Sequence, residues 1–126
     1  MESTDPHDVD LEWEQVSVDA QDPHALGLWW QKALGWVVVD ESTDVVEIRP
    51  TPDRLPGLLF IRVPEKKSGK NRLHLDFRPA DRDREVDRLM ALGATRVDIG
   101  QGEVSWVVLA DPEGNEFCVL TGRSRR

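Results

Sequence analysis

The chain has 126 residues, of which 39% are hydrophobic and 32% charged, values typical of one globular domain. Its net charge of −8 argues against a nucleic acid as partner, because phosphate backbones are bound by clustered Lys and Arg. The one cysteine, Cys118, excludes an intrachain disulfide and a zinc site built on paired cysteines.

The start of the chain carries no targeting signal that we can identify. Residues 1–10 are acidic and polar, without the basic and apolar regions of a secretory signal. No apolar run approaches the ~20 residues that span a bilayer. We therefore expect a cytoplasmic protein with no membrane partner. Residues 1–10 and 122–126 lack periodicity, and we predict loose tails on a domain over 11–121.

The first half of this domain predicts a strand, a helix and three more strands. Trp13–Asp19 alternates between apolar and polar residues, which is typical of a half-buried strand. Asp22 followed by Pro23 predicts a helix start, and Gly35 marks the end of the apolar helical stripe that follows. Short strands are predicted at Trp36–Asp40, Val45–Arg49 and Leu58–Val63.

The same order then begins again after a polar connector, residues 64–71. Arg72–Arg78 alternates like the first strand, and Asp81 is a second candidate N-cap. An apolar helical stripe ends at Gly93. Three further strands are predicted at Thr95–Ile99, Val104–Ala110 and Asn115–Thr121.

The two halves are in register. His74 lies 59 residues after Gln15, and Asp81 lies 59 residues after Asp22. The repeated order predicts an α+β fold of two βαβββ modules. Module one covers 11–63, the connector 64–71 and module two 72–121.

Three segments carry a family resemblance. They are the helix with Asp22-Pro-His-Ala-Leu and Ala33-Leu-Gly-Trp36, the strand Arg72-Leu-His-Leu-Asp76, and the turn Asp111-Pro-Glu-Gly-Asn-Glu-Phe-Cys118. In this order they resemble the glyoxalase-like, bleomycin-resistance and extradiol-dioxygenase group, the vicinal oxygen chelate superfamily, over residues 13–121. The resemblance implies an open, curled sheet around a cavity, with the helices outside. It also implies a homodimer.

The resemblance further implies a partial metal site. In the superfamily the ligands come from the first strand of each module and from the last strand, positions that fall here on Gln15, His74 and Glu116. One imidazole and two oxygens could hold Fe, Mn, Ni or Zn, although an uncharged amide is a weak ligand. The module-one counterpart of Glu116 is Gly57 or Leu58, which cannot ligate. Glu116 would serve as a ligand or as the catalytic base.

Each candidate ligand also has a structural interpretation. His74 can instead be hydrogen-bonded to Asp76, Arg78 or a backbone carbonyl, and Glu116 can pair with an arginine such as Arg62 or Arg78. Gln15 can be a hydrogen-bonding group in a pocket. The expected aromatic walls of that pocket are Trp13, Phe60 and Trp106. Its other expected members are Ser17, Arg62, Asp76, Arg78 and Cys118.

Two remaining groups of residues are predicted to be structural. Trp29 and Trp30 lie on the apolar stripe of the first helix and are expected to pack in the core. The lysines of the connector, Lys66, Lys67 and Lys70, are expected to be solvated.

Two function hypotheses of different class follow, and both involve a small molecule. The first is a metal-dependent lyase, isomerase or dioxygenase acting on a small oxygenated metabolite, with the metal stabilising an oxyanion or enediolate. The second resembles bleomycin-resistance proteins: a metal-free protein that sequesters an antibiotic or a metabolite. The pair His74 and Glu116 favours the first hypothesis. The missing carboxylate of module one favours the second.

Overall fold

The structure, a computed structural model, describes residues 9–122 and has the predicted two-module α+β fold. Most of both predicted tails lies outside the described residues. Module one consists of β1 Gln15–Ala20, α1 Pro23–Leu34, β2 Val37–Glu41, β3 Val45–Arg49 and β4 Gly57–Arg62. Module two consists of β5 Leu75–Phe77, α2 Arg82–Ala91, β6 Thr95–Arg96, β7 Val107–Ala110 and β8 Glu116–Val119.

The two sheets have the same topology. Each has four strands, in the orders β1-β4-β3-β2 and β5-β8-β7-β6, and in each the first strand runs parallel to the last. Gln15 lies opposite Gly57 in module one, and Leu75 lies opposite Phe117 in module two, so both pairs are 42 residues apart. The 59-residue repeat therefore extends to the pairing register. It makes Gly57 the counterpart of Glu116.

Helix α1 begins and ends where the sequence predicts. The Asp22 side chain accepts a hydrogen bond from the backbone N–H of Ala25, and Gly35 ends the helix in the left-handed conformation with φ of 67°. Gly27 faces the sheet, where an added Cβ would lie 2.7 Å from Cγ1 of Val46. A glycine here lets the helix lie closer to β3 than any other residue would. Within residues 9–122 neither helix is long and apolar enough to cross a membrane.

One hydrophobic core spans both modules. The Trp30 ring on α1 lies 4.8 Å from Phe117 on β8 and 5.7 Å from Phe77 on β5, measured between centroids. Residues opposite each other in a ladder point to the same side of a sheet. Val18 and Phe60 form such a pair and pack into this core. Residues of the other parity, such as Ser17, therefore lie on what we call the far face, away from the helices.

Candidate functional site

A cleft of about 430 Å³ lies between the two modules. Its floor is apolar and includes Val16, Trp30, Leu58, Phe60, Leu75 and Phe117. Its rim is charged and includes Asp19, Glu65, Lys66, Lys67, Arg72 and Glu113. The volume and this mixture of apolar walls with a few polar groups are typical of sites for small organic ligands.

The turn between β7 and β8 closes one end of the cleft through Asp111, whose side chain is buried. One carboxylate oxygen, Oδ2, accepts a hydrogen bond from Nε1 of Trp30 at 2.9 Å. The other, Oδ1, accepts from the backbone N–H groups of Glu113 at 2.9 Å and Asn115 at 3.0 Å. Asp111 thus both shapes the turn and fixes module two to helix α1 of module one.

Glu113 in the same turn makes a second connection between the modules. Its two carboxylate oxygens accept hydrogen bonds from the backbone N–H groups of Gln21 at 2.7 Å and Asp22 at 3.0 Å. These N–H groups precede α1, where backbone donors have no partner within the helix and a negative charge is favoured. The Asp-Pro-Glu-Gly-Asn-Glu motif therefore holds the two walls of the cleft at a fixed separation.

Glu116 attaches the connector to the last strand. It is 7% exposed, and its Oε1 accepts from the backbone N–H of Asn71 at 3.0 Å and lies 3.0 Å from Nζ of Lys67. Burial by itself raises the pKa of Glu116, but these hydrogen bonds and the Lys67 charge outweigh it and hold the pKa below its usual value. Glu116 is therefore ionised at neutral pH and already has a cationic partner.

Asn71 lies between the two predicted ligands, His74 and Glu116. Nε2 of His74 lies 3.1 Å from the backbone oxygen of Asn71, and the Asn71 side chain donates to the backbone oxygen of Glu116 at 3.3 Å. Gln15, the third predicted ligand, is half-buried at the start of β1. The structure thus brings His74 and Glu116 together through Asn71, and it places Gln15 opposite Gly57.

The residues present do not fit a resident metal as they are arranged. Within residues 9–122, no three or more side chains of His, Cys, Asp and Glu converge in a way that could hold an ion. Oε1 of Glu116 is shared by Lys67 and the Asn71 N–H. Binding a cation there would require the ammonium group to leave, so we derive no chemical step through a metal.

The cleft includes two of the eight predicted pocket residues, Ser17 and Phe60, together with Glu116. Phe60 is fully buried and points toward α1 rather than to the far face. The cleft floor is accordingly built by the side chains that face the helices. Gln15 has the same parity as Ser17 and lies on the far face.

Four other predicted pocket residues lie outside the cleft. Trp13 precedes β1 and is 65% exposed, and Trp106 is 38% exposed beside a separate depression near β6. The guanidinium of Arg62 is paired with Asp44, and that of Arg78 donates to the backbone oxygen of Thr121.

The last two predicted pocket residues, Asp76 and Cys118, lie opposite each other on the far face of module two. Burial and the neighbouring Asp76 carboxylate raise the pKa of the Cys118 thiol to about 11. The thiol is therefore protonated at neutral pH, which is the wrong state for a nucleophile.

We predict slow alkylation of Cys118. At about pH 8, a pKa near 11 leaves about one thousandth of the thiol as thiolate, against about a quarter for an unperturbed cysteine. Iodoacetamide should react with the native protein at least about a hundredfold more slowly than with the urea-unfolded protein. Mass spectrometry over time measures both rates, and similar rates would contradict the buried, protonated thiol.

Sequence reasoning missed several residues that build the site. Trp30 was assigned to the core by its helical stripe, and it is core, but one surface of its ring also forms the cleft floor. Lys67 was assigned to a solvated connector, yet it pairs with Glu116. Asp111 and Glu113 were visible only as parts of a turn motif. Their partners in module one lie 81 or more residues away in sequence, where no local pattern could reveal them.

Comparison with known families agrees with this architecture. A sequence profile of the glyoxalase-like domain matches residues 15–120, which include all strands and helices of both modules. The chain belongs to the glyoxalase-like family. This family match, together with the shared fold of the structural neighbours, agrees with the predicted resemblance to the vicinal oxygen chelate superfamily. A comparison with curated protein sequences found no significant match.

Three solved structures illustrate the range of this fold. A glyoxalase/bleomycin resistance protein/dioxygenase family enzyme from Burkholderia phytofirmans is 19% identical with a TM-score of 0.68, over 86% of this chain and 97% of that one. The bleomycin-binding protein of Streptomyces verticillus, in complex with copper(II)-bleomycin, is 17% identical with a TM-score of 0.61, over 91% and 99%. A variant of the fosfomycin resistance protein FosX from Listeria monocytogenes, in complex with Mn(II) and 1S,2S-dihydroxypropylphosphonic acid, is 12% identical with a TM-score of 0.65, over 91% and 92%. At these identities the likeness establishes the fold alone.

Proposed function

We propose that this glyoxalase-like protein binds a small, partly apolar organic molecule in the cleft between its modules, without a resident metal. The observation that carries the proposal is the cleft itself, of about 430 Å³, with an apolar floor under a charged rim. A bound molecule would place its hydrocarbon part on the floor, where each buried CH₂ contributes about 0.8 kcal/mol. Its polar groups would face the rim and set its orientation.

The charges on the rim favour a ligand with few charges of its own. The carboxylates of Glu113 and Glu116 are neutralised by backbone N–H groups and by Lys67. Asp19 and Lys66 are exposed and of opposite sign. A strongly charged ligand would meet groups of both signs at similar range, so we expect a neutral or singly charged molecule.

The pairing of Glu116 with Lys67 supports binding rather than metal-dependent catalysis. A buried carboxylate that would serve as ligand or base is here the anchor of the connector. Among structural neighbours, one was solved with copper(II)-bleomycin and another with Mn(II) and a small phosphonic acid, so the fold accommodates small molecules of different kinds. The pairing of Glu116 with Lys67 favours binding of a small molecule without a resident metal. A homodimer and a cytoplasmic location stay predictions from the resemblance and from the sequence.

A fluorescent probe of apolar sites tests the proposal. The probe 8-anilinonaphthalene-1-sulfonate, which carries one charge, should bind the native protein once per chain. Val16 lines the cleft. The variant Val16→Phe should weaken binding of the probe by about tenfold, because the larger side chain fills the floor of the cleft. The matched control is Val45→Phe, a half-buried valine of β3 outside the cleft, which should leave the affinity within about twofold. Equal effects of both variants, or no saturable binding, would contradict the proposal.

Metal content tests the alternative function. We expect the protein, purified without chelators, to retain less than about one tenth of an equivalent of Fe, Mn, Ni or Zn, because Glu116 is paired with Lys67 and, within residues 9–122, no three potential ligand side chains converge with it. Plasma mass spectrometry measures this, with His74→Ala as the control. One equivalent of metal in the native protein that is lost in His74→Ala would establish the metal-dependent hypothesis instead.

A further inference from the structure

Among residues 9–122, strand β1 has one edge without a neighbouring strand. It pairs only with β4, in parallel, and in a parallel pair alternate residues direct both their N–H and their C=O to the partner. The backbone oxygens of Glu14 and Ala20 accept from N–H groups of the β4 segment, at 3.0 and 2.8 Å. The even-numbered residues of β1 therefore face β4. The N–H and C=O groups of Ser17 and Asp19 face the unpaired edge.

The cleft runs along this edge. Four consecutive residues of β1, from Val16 to Asp19, line it. A cavity against one face of a strand contacts every second residue, because successive side chains alternate between the two faces. Contact with four residues in a row indicates that the cavity lies beside the strand.

The backbone groups at this edge have no protein partner within residues 9–122. None of the turn, loop or side-chain hydrogen bonds there involves the N–H or C=O of Ser17 or Asp19. Backbone polar groups that are removed from water need a hydrogen-bond partner, and losing one without replacement is costly. A hydrocarbon ligand over this edge would displace water from the backbone groups without supplying a hydrogen-bond donor or acceptor in its place. The edge therefore selects for a ligand with matching donors and acceptors.

We propose that the ligand of the cleft is peptide-like: an extended molecule with at least two amide groups that lies alongside β1 and pairs with Ser17 and Asp19. This inference rests on the proposed function and names the ligand class. Equivalent groups of these two residues lie about 6.6 to 6.8 Å apart, which is the repeat of one dipeptide unit in a strand. Main-chain pairing supplies the polar contacts, and apolar substituents of the ligand reach the floor at Trp30 and Phe60.

A capped dipeptide and its ester analogue provide the ligand side of the test. The probe is N-acetyl-Leu-Phe-amide, and the comparison compound carries an ester oxygen in place of the N–H that joins Leu to Phe. Isothermal titration calorimetry should show about fivefold to tenfold weaker binding of the ester, the effect of one lost hydrogen bond. The two compounds have nearly the same size and apolar surface, so apolar contact alone predicts equal affinities.

Two substitutions of Ser17 provide the protein side. Ser17→Pro removes the N–H that faces the cleft and leaves the β4 ladder complete, because proline is tolerated at the free side of an edge strand. This substitution should weaken binding of the dipeptide by about fivefold to tenfold. The comparison variant Ser17→Ala also loses the hydroxyl group but keeps the N–H, so it should bind the dipeptide at least about threefold more tightly than Ser17→Pro does. Thermal unfolding of both variants checks that the fold is retained.

The outcomes separate this inference from the function on which it rests. If 8-anilinonaphthalene-1-sulfonate binds the cleft but the dipeptide does not, or the amide and the ester bind equally, the peptide-like ligand is ruled out and the binding function stands. If neither probe binds, the binding function fails as well. Should Ser17→Pro not fold, the comparison of amide with ester on the native protein decides the matter.

Discussion

Asp111→Ala is expected to lower the free energy of unfolding by about 3 to 5 kcal/mol, because it leaves one buried and several partly buried donors without a partner. Asp111 is 4% exposed and accepts from the indole N–H of Trp30, from the backbone N–H of Glu113, and from the backbone and side chain of Asn115. Alanine offers none of these acceptors and also leaves space in the turn. Urea unfolding followed by tryptophan fluorescence measures the loss.

Two further variants make this prediction specific. Asp111→Asn keeps one acceptor oxygen and the shape of the side chain, so about half of the loss is expected. Asp87→Ala removes an exposed carboxylate from α2 and should change stability by less than about 0.5 kcal/mol. If Asp111→Ala were as mild as Asp87→Ala, the turn would not hold the two modules together as we describe.

Phe60→Ala is expected to destabilise the protein by a similar amount, about 3 to 5 kcal/mol, and to change the cleft. Phe60 is fully buried between α1 and the cleft, and its ring lies near Gly27 and the valine that faces this glycine. Removing the ring takes away buried apolar surface and leaves a void that the close-packed helix can fill only in part. Because the void opens into the cleft, the site should also become larger.

Phe60→Leu is the matched control. Leucine retains most of the apolar volume, so we expect a loss of about 1 to 1.5 kcal/mol and little change in the affinity for 8-anilinonaphthalene-1-sulfonate. Phe60→Ala should shift that affinity by at least about threefold, in either direction, since the floor changes shape. A large loss of stability with unchanged probe binding would place the ring in the core alone and remove it from the site.

Local signals account for the parts of the fold that the sequence predicted well. Helix α1 has an N-cap, a proline at its first position and a left-handed glycine at its end, all of which act within a few residues. The repeat was visible because its spacing of 59 residues is the same at the first strands and at the helix N-caps. Strand lengths were less accurate. Arg72–Arg78 was predicted as a strand, but only Leu75–Phe77 pairs, because the partner strand β8 is itself short.

The site was harder to predict because it depends on contacts between distant residues. Alternation assigned Gln15 and Ser17 to the face away from the helices, which the register supports. It could not reveal that the cleft runs along the edge of β1, since an edge is free only when the whole sheet order is known. The pairing of Lys67 with Glu116 joins residues 49 apart through a connector without periodicity. Charge and polarity alone could only suggest a solvated loop.

The most direct test of the cleft as a ligand site is a nuclear magnetic resonance titration of ¹⁵N-labelled native protein with 8-anilinonaphthalene-1-sulfonate. The five tryptophans give separate indole N–H signals, of which Trp30 reports on the floor and Trp106 on a surface outside the cleft. We predict saturable shifts concentrated on the backbone of Val16–Asp19, on Phe117 and on the Trp30 indole. Shifts concentrated around Trp106 or at Asp76 and Cys118, with the cleft residues unchanged, would contradict a binding function for the cleft.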